Sequence, residues 1–253
     1  MSATIPKVIH YCWFGGNPLP KSALACINSW KKYFPDYEIK EWNETNFDVH
    51  CNKYCSEAYD AKKYAFVSDF ARFKILYDEG GVYFDTDVEV IKSFAPILEN
   101  GAFMGCETQS VYTNSVAVAP GLGLAINPGL GLVKEILDDY EASSFLKEDG
   151  SFDLTTIVQR TTSILKKHGL AEMRGIQQVE GITIYPSEYF CPKDKDTLKL
   201  NLTENSYSIH HYDATWYSKD MKFKKWIRVT FGGGFLQFLV KIKRACKKII
   251  RKP

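Results

Sequence analysis

The chain has 253 residues, enough for one substantial core, and its 14% aromatic and 25% charged content is that of a folded globular protein. A formal net charge of +2 hides an asymmetry: residues 219–253 carry 12 Lys and Arg against one acid, a net of +11, and residues 1–218 carry −9. No run of about 18 apolar residues suggests a membrane-spanning helix. The seven scattered cysteines and an N-terminus without signal-peptide character predict reduced cytosolic thiols rather than a disulfide frame.

Residues 8–13 read as a buried first strand, closed by Phe14-Gly15-Gly16-Asn17-Pro18. Pro20 and Ser22 open a helix to about Tyr33, and residues 37–42 form a second strand. This strand-helix-strand opening predicts parallel βαβ units and an α/β fold. Residues 54–79 read as largely helical, and Gly80-Gly81 breaks that helix ahead of an apolar strand at 82–84. Residues 88–91 continue beyond it. Strands are expected at 103–107 and 115–119, around a loop containing Asn114, which is a candidate sugar contact. The 120–128 segment reads as a turn, since it lacks the Lys and spacing of a phosphate-binding loop. Helices follow near 129–141 and 154–168, then short strands at 182–185 and 207–211. Gly232-Gly233-Gly234 is the clearest linker, setting residues 1–231 as one domain and 232–253 as a terminal helix.

Two constellations carry chemistry. Asp85-Thr86-Asp87 follows the apolar strand directly, and residues i and i+2 of a strand point the same way. At the strand's C-terminal end, where ligands sit in open α/β sheets, two carboxylates can converge on one hard cation such as Mg²⁺ or Mn²⁺. On the preceding helix, Phe66, Phe70, Phe73 and Tyr77 mark one face, while Ser68, Asp69 and Arg72 share another at helical spacing. The plainer alternative for the latter is a surface Asp-Arg pair of little energetic value. His50-Cys51 with Cys55 reads as half a zinc site, and no second half follows.

Three ordered blocks, Ile5-Pro6-Lys7-Val8-Ile9-His10-Tyr11-Cys12-Trp13-Phe14-Gly15-Gly16, Ser68-Asp69-Phe70-Ala71-Arg72 and Gly80-Gly81-Val82-Tyr83-Phe84-Asp85-Thr86-Asp87, resemble those of glycosyltransferase family 32. That group contains initiating mannosyltransferases and capsule enzymes, and the glucosyltransferase domains of clostridial toxins are similar in the same blocks. His210-His211 followed by Trp216 resembles a fourth block. The resemblance implies a GT-A (Rossmann-like) fold, a nucleotide-sugar donor, a divalent metal and retention of anomeric configuration. On it, Trp13 stacks on the donor base, unless it is plain core, with Ser68 nearby. Asp69 binds ribose or sugar hydroxyls, and Arg72 binds a sugar hydroxyl and balances the carboxylates. Asp87 coordinates Mn²⁺ or Mg²⁺, and Asp85 touches ribose or sugar or reaches the metal through water. His211 is the candidate third metal ligand, with His210 the fallback, and Trp216 closes over the diphosphate. Thr215 keeps the hydroxyl that the family places beside that Trp, whereas Ala214 replaces a serine of the toxins. The toxin and capsule likenesses lean to UDP and UDP-galactose, and the mannosyltransferase likeness leaves GDP-mannose open.

Phe235, Phe238, Leu239, Ile242, Ala245, Cys246 and Ile249 form one helical stripe beside Lys241, Arg244, Lys247, Lys248 and Arg251. A basic amphipathic helix of this kind suits an anionic membrane interface, which predicts a peripheral protein on the inner face of the cell membrane. It would fit an acceptor sugar carried on a polyprenyl diphosphate; packing on the acidic body is the alternative. Nucleic-acid binding is not expected of an acidic body without a recognition motif. Two rival functions are open to the sequence. A haloacid-dehalogenase-type phosphohydrolase would use Asp85 as nucleophile and Asp87 as acid/base, with Asp138-Asp139 as a metal pair. A non-catalytic membrane-bound carbohydrate-binding protein would need no acid pair.

Overall fold

The computed structural model describes residues 4–110, 115–172, 175–195 and 197–213. In chain order the elements are β1 (Val8–Cys12), α1 (Lys21–Tyr33), β2 (Glu38–Trp42), α2 (Lys53–Asp60), α3 (Tyr64–Glu79), β3 (Gly81–Tyr83), β4 (Val88–Val90), α4 (Ala95–Leu98), β5 (Phe103–Ser110) and β6 (Ser115–Val118). A 3₁₀ turn at Pro120–Leu122 leads into β7 (Leu124–Ile126), α5 (Gly131–Glu141), α6 (Ile157–Lys167), β8 (Gln177–Val179), β9 (Ile182–Tyr185), α7 (Ser187–Phe190) and β10 (Ser208–His210). The chain divides into two compact units, Met1–Pro192 with Asn201–His211, and Lys193–Leu200 with Tyr212–Pro253. In the second, Lys193 and Leu200 form an isolated antiparallel bridge, and Asp194 accepts the Thr197 N–H at 2.7 Å. The terminal helix expected at 232–253, Asn114 and Trp216 lie outside the described residues.

The α/β class read from the opening is the architecture found. The first unit is built on a sheet in the order β2-β1-β3-β7-β5-β9-β8, with β6 added on β5. β1 runs parallel to β2 and β3, and β5 parallel to β9; β7 is antiparallel to both its neighbours. Two elements differ from the sequence expectation. Residues 120–128 are more than a turn, because β7 occupies the middle of the sheet with all three residues buried. Its three residues between glycines are too short for a periodic signal. Residues 88–91 do not extend β3, because β4 leaves the main sheet and pairs with β10 in a separate antiparallel ribbon. The turn at 85–87, closed by the Val88 N–H on the Asp85 carbonyl at 3.0 Å, redirects the chain.

Apolar burial fixes α3 on the sheet. Val67, Phe70, Ala71, Phe73, Ile75 and Leu76 are all buried, so this helix is embedded rather than half-exposed. Beneath the ribbon, Phe34, Phe84, Phe94, Phe103 and Phe190 form a continuous ring cluster, with Phe94 stacked on Phe190 at 5.4 Å. Trp30 of α1 is fully buried and donates its indole N–H to the Val88 carbonyl at 2.8 Å, tying α1 to the start of β4.

The passage from α3 to β3 is held by His10. The Trp42 indole N–H is a donor only and reaches His10 Nδ1 at 3.0 Å, so Nδ1 accepts. The other ring nitrogen therefore carries the proton and donates to the Gly80 carbonyl at 2.9 Å. Gly81 sits at φ +104°, and a side chain there would meet the Val8 carbonyl at 2.8 Å and the His10 ring at 2.9 Å. The double glycine is thus required by a left-handed backbone and by close approach to β1.

Burial pushes the His10 pKa down to about 4 from 6.5. Between those values the unfolded chain binds a proton that the folded one refuses. The contribution is therefore complete above pH 6.5 and lost as pH falls toward 4. Urea unfolding across this window should show wild-type stability falling with acid, and a shallower slope in His10→Gln.

Candidate active site

Helix α3 and the turn after β3 meet at Arg72. Its side chain is 4% exposed, and every polar nitrogen is engaged. Nη2 binds Asp69 Oδ1 at 2.9 Å, and Nη1 reaches Asp85 Oδ1 at 3.2 Å and Oδ2 at 3.3 Å. Nε donates to the Ser68 carbonyl at 3.2 Å, and the guanidinium lies 4.7 Å from the centre of the Tyr83 ring. Burial opposes the Arg72 charge, but Asp85, Tyr83 and Asp69 outweigh it, so the cation persists. The surface-pair alternative for Asp69 and Arg72 is overturned.

Asp69 is more enclosed than Asp85, with side-chain exposures of 14% and 33%. Burial pushes the Asp69 carboxyl up to about 7, against the pull of Arg72. It also accepts the Ile157 N–H, the first amide of α6, whose start is fixed by a Thr156–Gln159 capping box. Asp85 Oδ1 accepts a further bond from the Tyr83 hydroxyl at 3.2 Å. The Cys12 thiol, buried beside Tyr83, is pushed up to about 12 by burial and is a packing group.

Gly121, in the 3₁₀ turn, accepts the Asp85 N–H on its carbonyl at 2.9 Å. A methyl group on Gly121 would overlap Asp85 Oδ2 outright and come within 2.8 Å of Arg72 Nη1. Sequence reasoning missed this wall and the Tyr83 bond. The Pro120-Gly121 dipeptide was the available signal, but nothing in it points across to Asp85.

Asp87 turns to a different partner. Its Oδ1 lies 3.2 Å from His210 Nε2, at the end of β10, where Val88 pairs with His210. Burial alone would lower the His210 ring, but the Asp87 carboxylate outweighs it and the net is a rise to about 10. His211 Nε2 lies instead 2.8 Å from Glu89 Oε2, while its backbone N–H reaches the Asp87 carbonyl at 2.9 Å. The ring that accompanies Asp87 is therefore that of His210, the sequence fallback, and the first choice, His211, pairs with Glu89. Among the described residues no group of three or more His, Cys, Asp and Glu side chains is assembled as a metal cage.

Trp13 is only partly buried, so it is not plain core. Its backbone N–H bonds the Trp42 carbonyl at 2.8 Å, and its indole N–H the Asn17 carbonyl at 2.6 Å. The Ser68 hydroxyl donates to the Tyr64 carbonyl at 3.1 Å. Asp138 and Asp139, a metal pair on the phosphatase reading, are split between Lys134 and Arg160.

Comparison with known proteins adds likenesses to this geometry. Residues 20–104 match the family described as a glycosyltransferase sugar-binding region containing the DXD motif. Inositol phosphoceramide mannosyltransferase 3 of Schizosaccharomyces pombe is 30% identical over 123 residues, which is 46% of this chain and 33% of the relative. Mannosyltransferase 1 of that organism is 30% identical over 122 residues, 44% of this chain and 37% of the relative. The chain thus spans about a third of the length of these two curated relatives. An uncharacterized glycosyltransferase, L373 of Acanthamoeba polyphaga mimivirus, is 27% identical over 74% of this chain and 73% of its own. Among solved structures, the PaToxG glycosyltransferase aligns with a TM-score of 0.47 at 20% identity, over 64% of this chain and 69% of that one. The galactosyltransferase LgtC, solved with donor and acceptor sugar analogs, aligns at 0.43 and 14% over 92% and 94%.

Arg72→Met removes the cation shared by Asp69 and Asp85, and should cost about 3–5 kcal/mol of unfolding free energy in urea titrations. Gly121→Ala should lose about 1–3 kcal/mol by overpacking, measured in the same way.

Proposed function

From the match of residues 20–104 to the DXD-containing sugar-binding region of glycosyltransferases, we propose that this chain is a GT-A-type, metal-dependent, retaining glycosyltransferase. It moves a hexose from a nucleotide-diphosphate sugar, UDP-linked as in UDP-galactose, to a glycan acceptor. The observation that supports this most is the Arg72 bridge, which presents two carboxylates, Asp69 and Asp85, at the C-terminal end of a central strand. Carboxylate oxygens held rigidly there are acceptors for ribose or sugar hydroxyls, and fixed acceptors orient a bound sugar without reorganising during transfer.

The donor set also fits a divalent cation. Asp87 offers a hard oxygen ligand next to Asp85, and such ions are often held by one or two carboxylates plus substrate phosphates rather than by an all-protein cage. Asp87 would hold the ion, with Asp85 touching the sugar or reaching the ion through water. When bound, the cation supplies charge to neutralise the departing diphosphate. Trp13, with part of its ring exposed, is the candidate base platform. His210, with Nε2 at 3.2 Å from Asp87 Oδ1, would hold that carboxylate in place.

The acceptor is proposed to be lipid-linked, a capsular or surface polysaccharide intermediate on polyprenyl diphosphate, met at the inner face of the membrane. Two relatives are named for a lipid-borne acceptor, inositol phosphoceramide, which supports a lipid-linked substrate and keeps GDP-mannose as the competing donor. Residues 232–253 are proposed as the membrane-facing helix.

Isothermal calorimetry with UDP, GDP and their sugars, with and without Mn²⁺, tests the donor; the proposal expects metal-dependent binding of one nucleotide. Asp87→Asn should lower transfer by at least about 10²-fold while unfolding stays cooperative. Near-normal turnover of that variant in Mn²⁺ would refute the metal role.

A further inference from the structure

The end of the sheet that carries Asp85 also carries Trp13. β1 is the parallel neighbour of both β2 and β3, so the segments that follow these three strands leave from one edge. Trp13 comes after β1, Glu44 just after β2 and Asp85 just after β3. The Trp13 N–H bonds the Trp42 carbonyl at 2.8 Å, which sets the loop after β1 beside the turn after β2. That turn is tied by its own side chains. Asn43 Oδ1 accepts the Thr45 N–H at 2.9 Å, and Asn46 Oδ1 accepts the Asn43 N–H at 2.9 Å. From it Glu44 reaches back, and its Oε1 accepts the Gly15 N–H at 2.6 Å.

Tyr64, the first residue of α3, stands against the same glycine. Gly15 lies at φ +96°, and a side chain there would meet the Tyr64 ring at 2.5 Å. The Tyr64 ring is backed by that of Tyr59 in α2, 5.6 Å away. Phe14 is buried edge-on against Phe47 at 5.8 Å. The loop held in this way closes on itself. The Trp13 indole N–H bonds the Asn17 carbonyl at 2.6 Å, and the Asn17 side-chain amide reaches the Gly15 carbonyl at 3.4 Å. The single polar atom of the Trp13 ring is thus engaged, and what the ring offers a ligand is a π face.

We propose that Glu44 is a positioning residue of the donor site, which with Tyr64 clamps Gly15 and holds the Trp13 ring as a preformed stacking platform for a nucleotide base. This rests on the donor reading above, in which Trp13 carries the base. Glu44 acts through the Gly15 amide. A carboxylate accepting a backbone N–H makes a charge-assisted bond, about twice as strong as a neutral one. Gly15 and Gly16 both stand at positive φ, and a loop with two adjacent glycines samples many conformations unless it is tied. Ordering it in advance removes that cost from binding. Every base has a π face, so the platform suits bases as a class.

The test uses the full chain and has two readouts. The first, without nucleotide, is amide hydrogen exchange at Gly15 followed by NMR. Glu44→Ala should speed it at least about tenfold, and Glu44→Gln, which keeps an acceptor oxygen, should recover most of the protection. The second is calorimetry of the same proteins with UDP and with GDP in Mn²⁺. Glu44→Ala should weaken the bound nucleotide about tenfold, and Glu44→Gln should restore most of that loss. In a Trp13→Ala background the Glu44→Ala change should have little further effect, because it acts through the platform. In turnover, the loss should fall on the donor KM more than on kcat. Unaltered Gly15 exchange in Glu44→Ala, wild-type nucleotide affinity in that variant, or an equal loss in the Trp13→Ala background would overturn the proposal. Binding of neither nucleotide by the wild type would sink the donor reading and the role of the clamp with it, while Gly15 exchange would still show whether Glu44 holds the loop.

Discussion

A buried guanidinium is the constraint on which the site depends. Arg72 sits inside α3 among apolar neighbours, and a cation there is tolerated only if its donors are all used. Asp69 on its own helix, Asp85 across the turn and the Ser68 carbonyl supply that use. The same bonds that compensate Arg72 therefore dock the end of β3 onto α3. Neither carboxylate can move independently of the other, because both answer to one planar fork. The backbone of Gly121 closes the remaining side, so Asp85 is boxed by Arg72, Tyr83 and a main-chain wall.

This explains why two glycines stand between helix and strand. Asp69 and Asp85, with fifteen residues between them, meet at one side chain only if α3 reverses into β3 without a long loop. Gly80 and Gly81 make the reversal at positive φ, and His10 pins it by taking Gly80 through one ring nitrogen and Trp42 through the other. His10 looks like a chemical residue in the sequence, yet both its nitrogens serve the fold. Its burial makes it neutral, which is what a bond to a carbonyl on one side and an indole N–H on the other requires.

What was legible in the sequence follows from signal length. β1, α1 and β2 are long enough to show their period, and their bounds fall within a residue or two of the reading; the helical stretch read at 54–79 divides into α2 and α3 and ends at Glu79 as expected. The three-residue strands β7 and β8 show no period, so one central and one edge strand went unread. Asp69, Arg72 and Asp85 were legible as a set because helical spacing and block order converge on them. The choice between His210 and His211 was not, since adjacent strand residues face opposite ways and the register with Val88 decides. For Gly121 the Pro120-Gly121 dipeptide marks a turn but not its partner, because a close-approach glycine is defined by what it touches.

The division between Asp85 and Asp87 has a consequence for how the two carboxylates share work. Two anions at i and i+2, both free, would repel and drift apart in the absence of a cation. Here each has its own positive counterpart, Arg72 for Asp85 and the His210 ring for Asp87. The turn is therefore set by these two pairs. The two counterions differ in kind. Arg72 is fixed and permanently charged, so Asp85 is bound to the scaffold. An imidazolium can release its proton, so the charge that faces Asp87 is an exchangeable one. An acid pair built this way has a fixed counterion at its first residue and an exchangeable one at its second.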